Sequence, residues 1–213
     1  MGHLVKRHTK PDACYSREEV QEMIRNLVYN YTAIMEANDL DYWLDSGTLL
    51  GSYRSQGLIP HDVDADVGMT SMSLDMLRHL NVTVPAHYEL QIINSTIHYN
   101  GGDANIPGRF IDRRSGLYID IFEFLTSQRL QQMDDDDRLQ LVDMLGPKQS
   151  SCWGNCVNCN ITGEFIIPRG WIYPRQRCPF DDREAWCPAK PKEYLTMLYG
   201  DNFMTPNARR LRA

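Results

Sequence analysis

Five residues in the first third of the chain, Val63-Asp64-Ala65-Asp66-Val67, alternate apolar and acidic side chains. As a β-strand, this alternation puts both carboxylates on one face and the valines and alanine on the other. Two carboxylates side by side repel unless a cation lies between them. Oxygen-only ligands suit Mg²⁺ or Mn²⁺, and Mg²⁺ usually takes one or two protein carboxylates plus substrate phosphates. Upstream, Trp43-Leu44-Asp45-Ser46-Gly47-Thr48-Leu49-Leu50-Gly51 reads as a strand, a small-residue turn and a helix start, which points backbone N–H groups at an anion. Phosphate beside a divalent metal is the implied pairing. Taken alone, each half is more often a turn or a helix cap. A third carboxylate, Asp120, sits in the apolar run Tyr118-Ile119-Asp120-Ile121-Phe122, where burial without a metal or a basic partner is costly.

With 213 residues and 42% apolar content, one domain with a real core is expected and two are not. The net charge of −6 argues against a nucleic-acid polymer as partner. Only Arg209, Arg210 and Arg212 cluster. No run of about 18 apolar residues is present, and the charged start lacks the apolar core of a signal peptide. Two settings remain, a cytoplasmic protein or a lumenal piece whose membrane anchor lies outside this chain. Four Asn-x-Thr sequons (Asn30, Asn81, Asn94, Asn160) and an even count of six cysteines favour the secretory lumen.

Residues 1–15 read as an irregular lead-in, and 206–213 as a tail. Ser16-Arg17-Glu18-Glu19 is a capping box opening a long amphipathic helix to about Ala37. Strands or short helices follow at 42–45, 48–55, 63–67, 73–80, 88–93 and 96–99, and a hairpin joins 109–112 to 117–124. Arg54, on the second of these helices, is either a phosphate contact or an ordinary surface arginine. The acidic run 134–137 reads as a helix start extending to about Leu145. An insertion loop at about 150–163 carries Cys152, Cys156 and Cys159, and Cys178 and Cys187 flank a later strand pair. These five make either disulfides, with Cys178 to Cys187 across the hairpin, or a zinc site of loose spacing. A final helix spans 191–199.

Three motifs in order make the chain similar to one family. Asp45 to Arg54 with Gly57 to Met69, Arg109-Phe110-Ile111-Asp112 with Gly116 to Phe122, and Leu198-Tyr199-Gly200-Asp201 resemble the LicD family, which includes fukutin and fukutin-related protein. The resemblance runs from about residue 40 to 205. It implies an α+β nucleotidyltransferase-like fold, a mixed sheet flanked by helices with a cysteine-containing insertion. It also implies a metal-dependent transferase that moves phosphocholine, ribitol phosphate or glycerol phosphate from a CDP-alcohol donor to a glycan or glycoprotein acceptor. Carried over by position, Asp64 and Asp66 are metal ligands, Asp120 is the third carboxylate, and Asp62 binds metal or orients a ligand. Gly47, Thr48 and Arg54 are the phosphate-side contacts. The family usually has Trp where His61 stands and often a further Asp where Val63 stands, which alters the shape beside the metal. The other readings are a nucleotidyltransferase using an NTP, and a catalytically silent lumenal module that binds a glycan or partner.

Overall fold

The computed structural model describes residues 4–10, 12–133, 136–149, 153, 156–159 and 164–206. Cys152, Asn160, Asp134, Asp135 and the arginines of the tail lie outside them. The first helix, α1 (Arg17–Ala37), starts at the expected capping box: the Ser16 hydroxyl accepts from the Glu19 amide, and the Glu19 carboxylate accepts from the Ser16 amide. Its stripe of Ile24, Leu27, Val28, Tyr31 and Met35 is buried.

The main sheet contains β1 (Trp43–Leu44), β2 (Ala65–Thr70), β3 (Tyr88–Ile92), β4 (Gly108–Asp112), β5 (Tyr118–Met133), β6 (Asp136–Pro147) and β7 (Ile167–Pro168). Strand order is β1-β2-β5-β4-β3, with β6 on the outer half of β5 and β7 on β6. Only β2 and β5 run parallel among these pairs. A parallel pair needs a crossover, and α3 (Ser71–His79) with β3 and β4 supplies it. Helix α2 (Ser46–Ser55) links β1 to β2, and α4 (Pro191–Tyr199) packs against α2. The result is the mixed α+β sheet flanked by helices that the resemblance implies.

Three expectations fail. The segment read as a helix to Leu145 is β6, paired with β5 from Phe124 to Met133. Leu139 and Leu141 alternate with Gln140, a period-two pattern, and Leu141 lies opposite Leu130. The strand at 96–99 is a single bridge between Gln91 and Tyr99, because His98 and Ser95 instead tie this turn to the end of α3. The apolar run from Phe165 to Pro174, which reads as a short strand, forms only β7 and a 3₁₀ turn at Arg169–Trp171.

Cys178 and Cys187 form a disulfide across the hairpin of β8 (Gln176–Phe180) and β9 (Arg183–Cys187), and Cys156 bonds Cys159. Four of the five candidate sulphurs are therefore not thiolates, and zinc needs thiolates. Cys14 is exposed and free.

Candidate active site

The strand carrying the acidic pair begins later than its alternation suggests. Asp62 closes a turn onto the Ile59 carbonyl, and His61 holds a left-handed φ of 77°. Extended pairing therefore starts at Ala65. Val63 is left 46% exposed instead of joining the apolar face, and Asp64 lies at the strand's mouth. Asp66 stays on β2, directly opposite Asp120 on parallel β5. Adjacent strands lie about 4.8 Å apart, so the two carboxylates leave the same face side by side. At about 5 Å and an effective dielectric near 20, such a pair repels by about 3 kcal/mol.

The surroundings sharpen this conflict. Burial pushes the Asp66 carboxyl well up, and the charges of Asp64, Asp120, Asp45 and Asp62 add to the shift. Arg109 on β4, in register with Asp120, answers part of it. Its Nε donates to Asp120 Oδ1 at 2.8 Å, and its guanidinium lies 4.7 Å over the Tyr118 ring. Burial and the nearby Asp120 charge raise the Tyr118 phenol, so it stays protonated.

Helix α2 is held to this face by its first residues. The Thr48 hydroxyl accepts from the Asp66 amide at 2.7 Å, and the Asp45 amide donates to the Asp66 carbonyl at 3.1 Å. The first-turn amides of Gly47 and Thr48 have no acceptor within their own helix, and they open beside the loop carrying Asp62. A Cβ on Gly47 would lie 3.3 Å from Asp62 Oδ2, so glycine sets how closely that carboxylate approaches. From α1, Gln21 donates to the Asp62 carbonyl at 2.5 Å and fixes the loop.

Behind the first turn, Asp45 is fully buried. Its Oδ1 accepts from Tyr194 Oη at 2.7 Å and from the Ser46 amide at 2.6 Å, while Oδ2 has no partner among the described residues. Burial pushes its carboxyl up to about 7, against the lowering by Tyr194 and Ser46. Tyr199 in the last turn of α4 has its phenol raised by burial and by Asp66, Asp45 and Asp62. It is therefore a protonated donor beside the carboxylates.

The structure thus brings together Asp62, Asp64, Asp66, Asp120, Gly47 and Thr48. Arg54 is not among them. It lies in the last turn of α2, about 9 Å of helix rise from Thr48, with Nη1 donating to the Phe203 carbonyl at 3.4 Å. Arg109, Tyr118, Asp45, Tyr194 and Tyr199 are additional members. Among the described residues no three His, Cys, Asp or Glu side chains, as they stand, close around one metal position. A crowded oxygen-only pair still fits Mg²⁺ or Mn²⁺, whose remaining positions waters and substrate phosphates fill.

A family model described as the LicD/FKTN/FKRP nucleotidyltransferase domain matches residues 39–190, most of the chain and every element of this site except α4. The chain belongs to the LicD family. That family includes phosphotransferases. Its relatives include two proteins of Saccharomyces cerevisiae named mannosyltransferase regulator 4 and mannosyltransferase regulator 14. The first is 31% identical over 131 residues, 56% of this chain and 11% of the yeast protein. The second is 35% identical over 117 residues, 49% of this chain and 12% of the yeast protein. An uncharacterised protein of Rickettsia typhi is 37% identical over 65 residues, 29% of this chain and 21% of that protein. The chain thus spans only a small part of the length of the relatives it matches.

Proposed function

We propose that this LicD chain is a metal-dependent transferase, moving a phospho-alcohol group from a CDP-linked donor to a glycan hydroxyl. The observation that carries the reading is the register of Asp66 against Asp120 beside the first turn of α2. That arrangement puts a cation-demanding carboxylate pair next to open helix amides. Asp64 and Asp66 hold the metal, with Asp62 at the same mouth, and a bound Mg²⁺ or Mn²⁺ would supply charge neutralisation for the donor diphosphate and the departing CMP. The amides of Gly47 and Thr48 take phosphate oxygens. Asp120, oriented through Oδ1 by Arg109, accepts the proton of the attacking hydroxyl. Tyr199, kept protonated by burial and by the charges of Asp66, Asp45 and Asp62, is available as a donor beside this face.

The yeast names concern mannosyltransferases, which supports a glycan as the acceptor. The two disulfides support an oxidising, secretory compartment. A second reading, a regulatory module without turnover, draws on the Arg109–Asp120 ion pair and on the word regulator in the relatives' names. Nucleotidyl transfer from an NTP needs the same carboxylates and differs in releasing pyrophosphate.

A thermal-shift screen of CDP-choline, CDP-ribitol, CDP-glycerol, CMP and CTP, with and without Mg²⁺ or Mn²⁺, tests the site. At a hundred times its dissociation constant a ligand stabilises the fold by about 2.7 kcal/mol. A metal-dependent shift with one CDP-alcohol is expected. No shift with any of them in the presence of metal would sink the reading.

Arg109 gives a test with opposite signs. Its charge, held beside Asp120, repels a cation bound at the neighbouring Asp64 and Asp66, and its guanidinium is offered to a phosphate. Arg109→Ala is therefore expected to tighten Mn²⁺ binding about tenfold, a 1.4 kcal/mol effect well within the Coulomb scale at this distance. The same change should weaken nucleotide binding by at least as much. Titration of Mn²⁺ and of CMP separately checks this, and a loss of both affinities would assign Arg109 to fold maintenance only.

A further inference from the structure

We propose that Asn81 and Asn94, and not Asn30, carry N-linked glycans. All three head Asn-x-Thr sequons, which a sequence pattern cannot rank. The structure separates them. Asn30 lies within α1, where its Nδ2 donates to the Asn26 carbonyl at 2.8 Å and to Tyr88 Oη at 3.3 Å. Its sequon hydroxyl, on Thr32, is 8% exposed and donates to the Tyr29 carbonyl. A sugar on Nδ2 would replace one of those hydrogens and push α1 off β3. A chain glycosylated there does not reach this fold.

Asn81 and Asn94 have the opposite surroundings. Asn81 is exposed in the loop after α3, as is Thr83, while Val82 between them is buried and anchors the loop. Asn94 is exposed at a turn after β3 with a left-handed φ of 60°, a conformation Asn tolerates. Its backbone amide donates to Asn100 Oδ1, and Thr96 is exposed. The two loops form one corner. Ser95 Oγ donates to the Arg78 carbonyl at 2.8 Å, Arg78 Nε donates to the Ile93 carbonyl at 3.0 Å, and the His98 ring bonds the Leu80 carbonyl. This corner sits past the end of edge strand β3, two strands from Asp120 and beyond Gln91, the β3 residue in register with it, so it is more than about 10 Å away. Glycans there leave the mouth of the site open.

The modification is a group transfer from a polyprenyl-diphosphate-linked oligosaccharide. The Asn Nδ2 bonds to C1 of the first sugar as the C1–O bond to polyprenyl diphosphate breaks, and one Nδ2 proton leaves to a base of the transferring enzyme. The test is to secrete the chain from a eukaryotic host behind a cleavable leader. The folded product is then treated with peptide N-glycosidase in heavy-oxygen water, and its peptides are mapped by mass. The expected result is labelled aspartate at positions 81 and 94 and unmodified Asn30. Thr83→Val and Thr96→Val should each remove one glycan, leaving the other in place. Unmodified Asn81 or Asn94, or a glycan on Asn30 in folded product, would overturn the proposal.

Discussion

An Asp66→Asn chain is expected to be more heat-stable than its parent in the presence of a chelator, and to be inert as a transferase. Both effects come from the same crowding. Asp66 faces Asp120 across β2 and β5, and Asp64, Asp45 and Asp62 add like charge, while Arg109 offsets only part of it. Removing one charge of a pair that repels by about 3 kcal/mol, discounted for solvent screening, leaves a gain of about 1–2 kcal/mol. For a domain of this size that is a rise of about 2–8 °C. Asparagine is nearly isosteric and leaves the Thr48 hydroxyl bonded to the residue-66 amide. Turnover should fall by about 10³-fold or more, the scale seen when one charge-stabilising group is removed from a reaction site. Melting in EDTA and transfer in Mg²⁺ are measured on the same preparation. A variant less stable than its parent in EDTA would contradict the crowding, and one with near-normal turnover would contradict the mechanism.

Gly68→Ala is expected to be the most damaging one-atom addition in the sheet. Gly68 pairs with Trp43 across β1 and β2, and an added Cβ would lie 2.3–2.5 Å from three atoms of the indole. The indole cannot retreat. It is fully buried, edge-on to Phe124 at 5.0 Å and bounded by Tyr173 at 6.5 Å. Overpacking of this kind costs about 3 kcal/mol. Because Gly68 lies two residues from Asp66, the shift should reach the carboxylate face as well. Urea unfolding measures the loss, and Trp43→Phe in the same chain should recover part of it, since the two sites share one contact. A loss under about 0.5 kcal/mol would mean that β1 moves freely against β2.

Much of this site was legible in the residues because it rests on short-range patterns. Alternation of apolar and acidic side chains identifies Asp64 and Asp66 as neighbours on one face, and the apolar flanks of Asp120 mark it as a buried carboxylate needing a partner. The start of β2 was less legible, because the left-handed backbone at His61 holds two further residues out of the sheet. Arg109 was readable in principle. The Asp112 amide bonds the Leu117 carbonyl, and counting back from that turn puts Arg109 opposite Asp120. Asp45 looks like an ordinary helix cap until tertiary packing buries it under Tyr194. The β5–β6 ribbon was missed because the acidic run 134–137 imitates a helix start, whereas residues 136–147 pair antiparallel with the strand that precedes them, and that pairing outweighed local preference. Arg54 shares a helix with Thr48 but lies in its last turn, donating to the Phe203 carbonyl, so position on a helix alone did not separate its two readings.

Under the proposed function, the carboxylate face releases CMP from a CDP-alcohol. The direct measurement is CMP formed by the chain with each CDP-alcohol, Mg²⁺ or Mn²⁺ and an oligosaccharide acceptor, run beside Asp66→Asn. Metal-dependent CMP release matched by phospho-alcohol on the acceptor is expected, with its loss in the variant. Metal-dependent nucleotide binding with no CMP formed, or CMP formed equally by both chains, would contradict it.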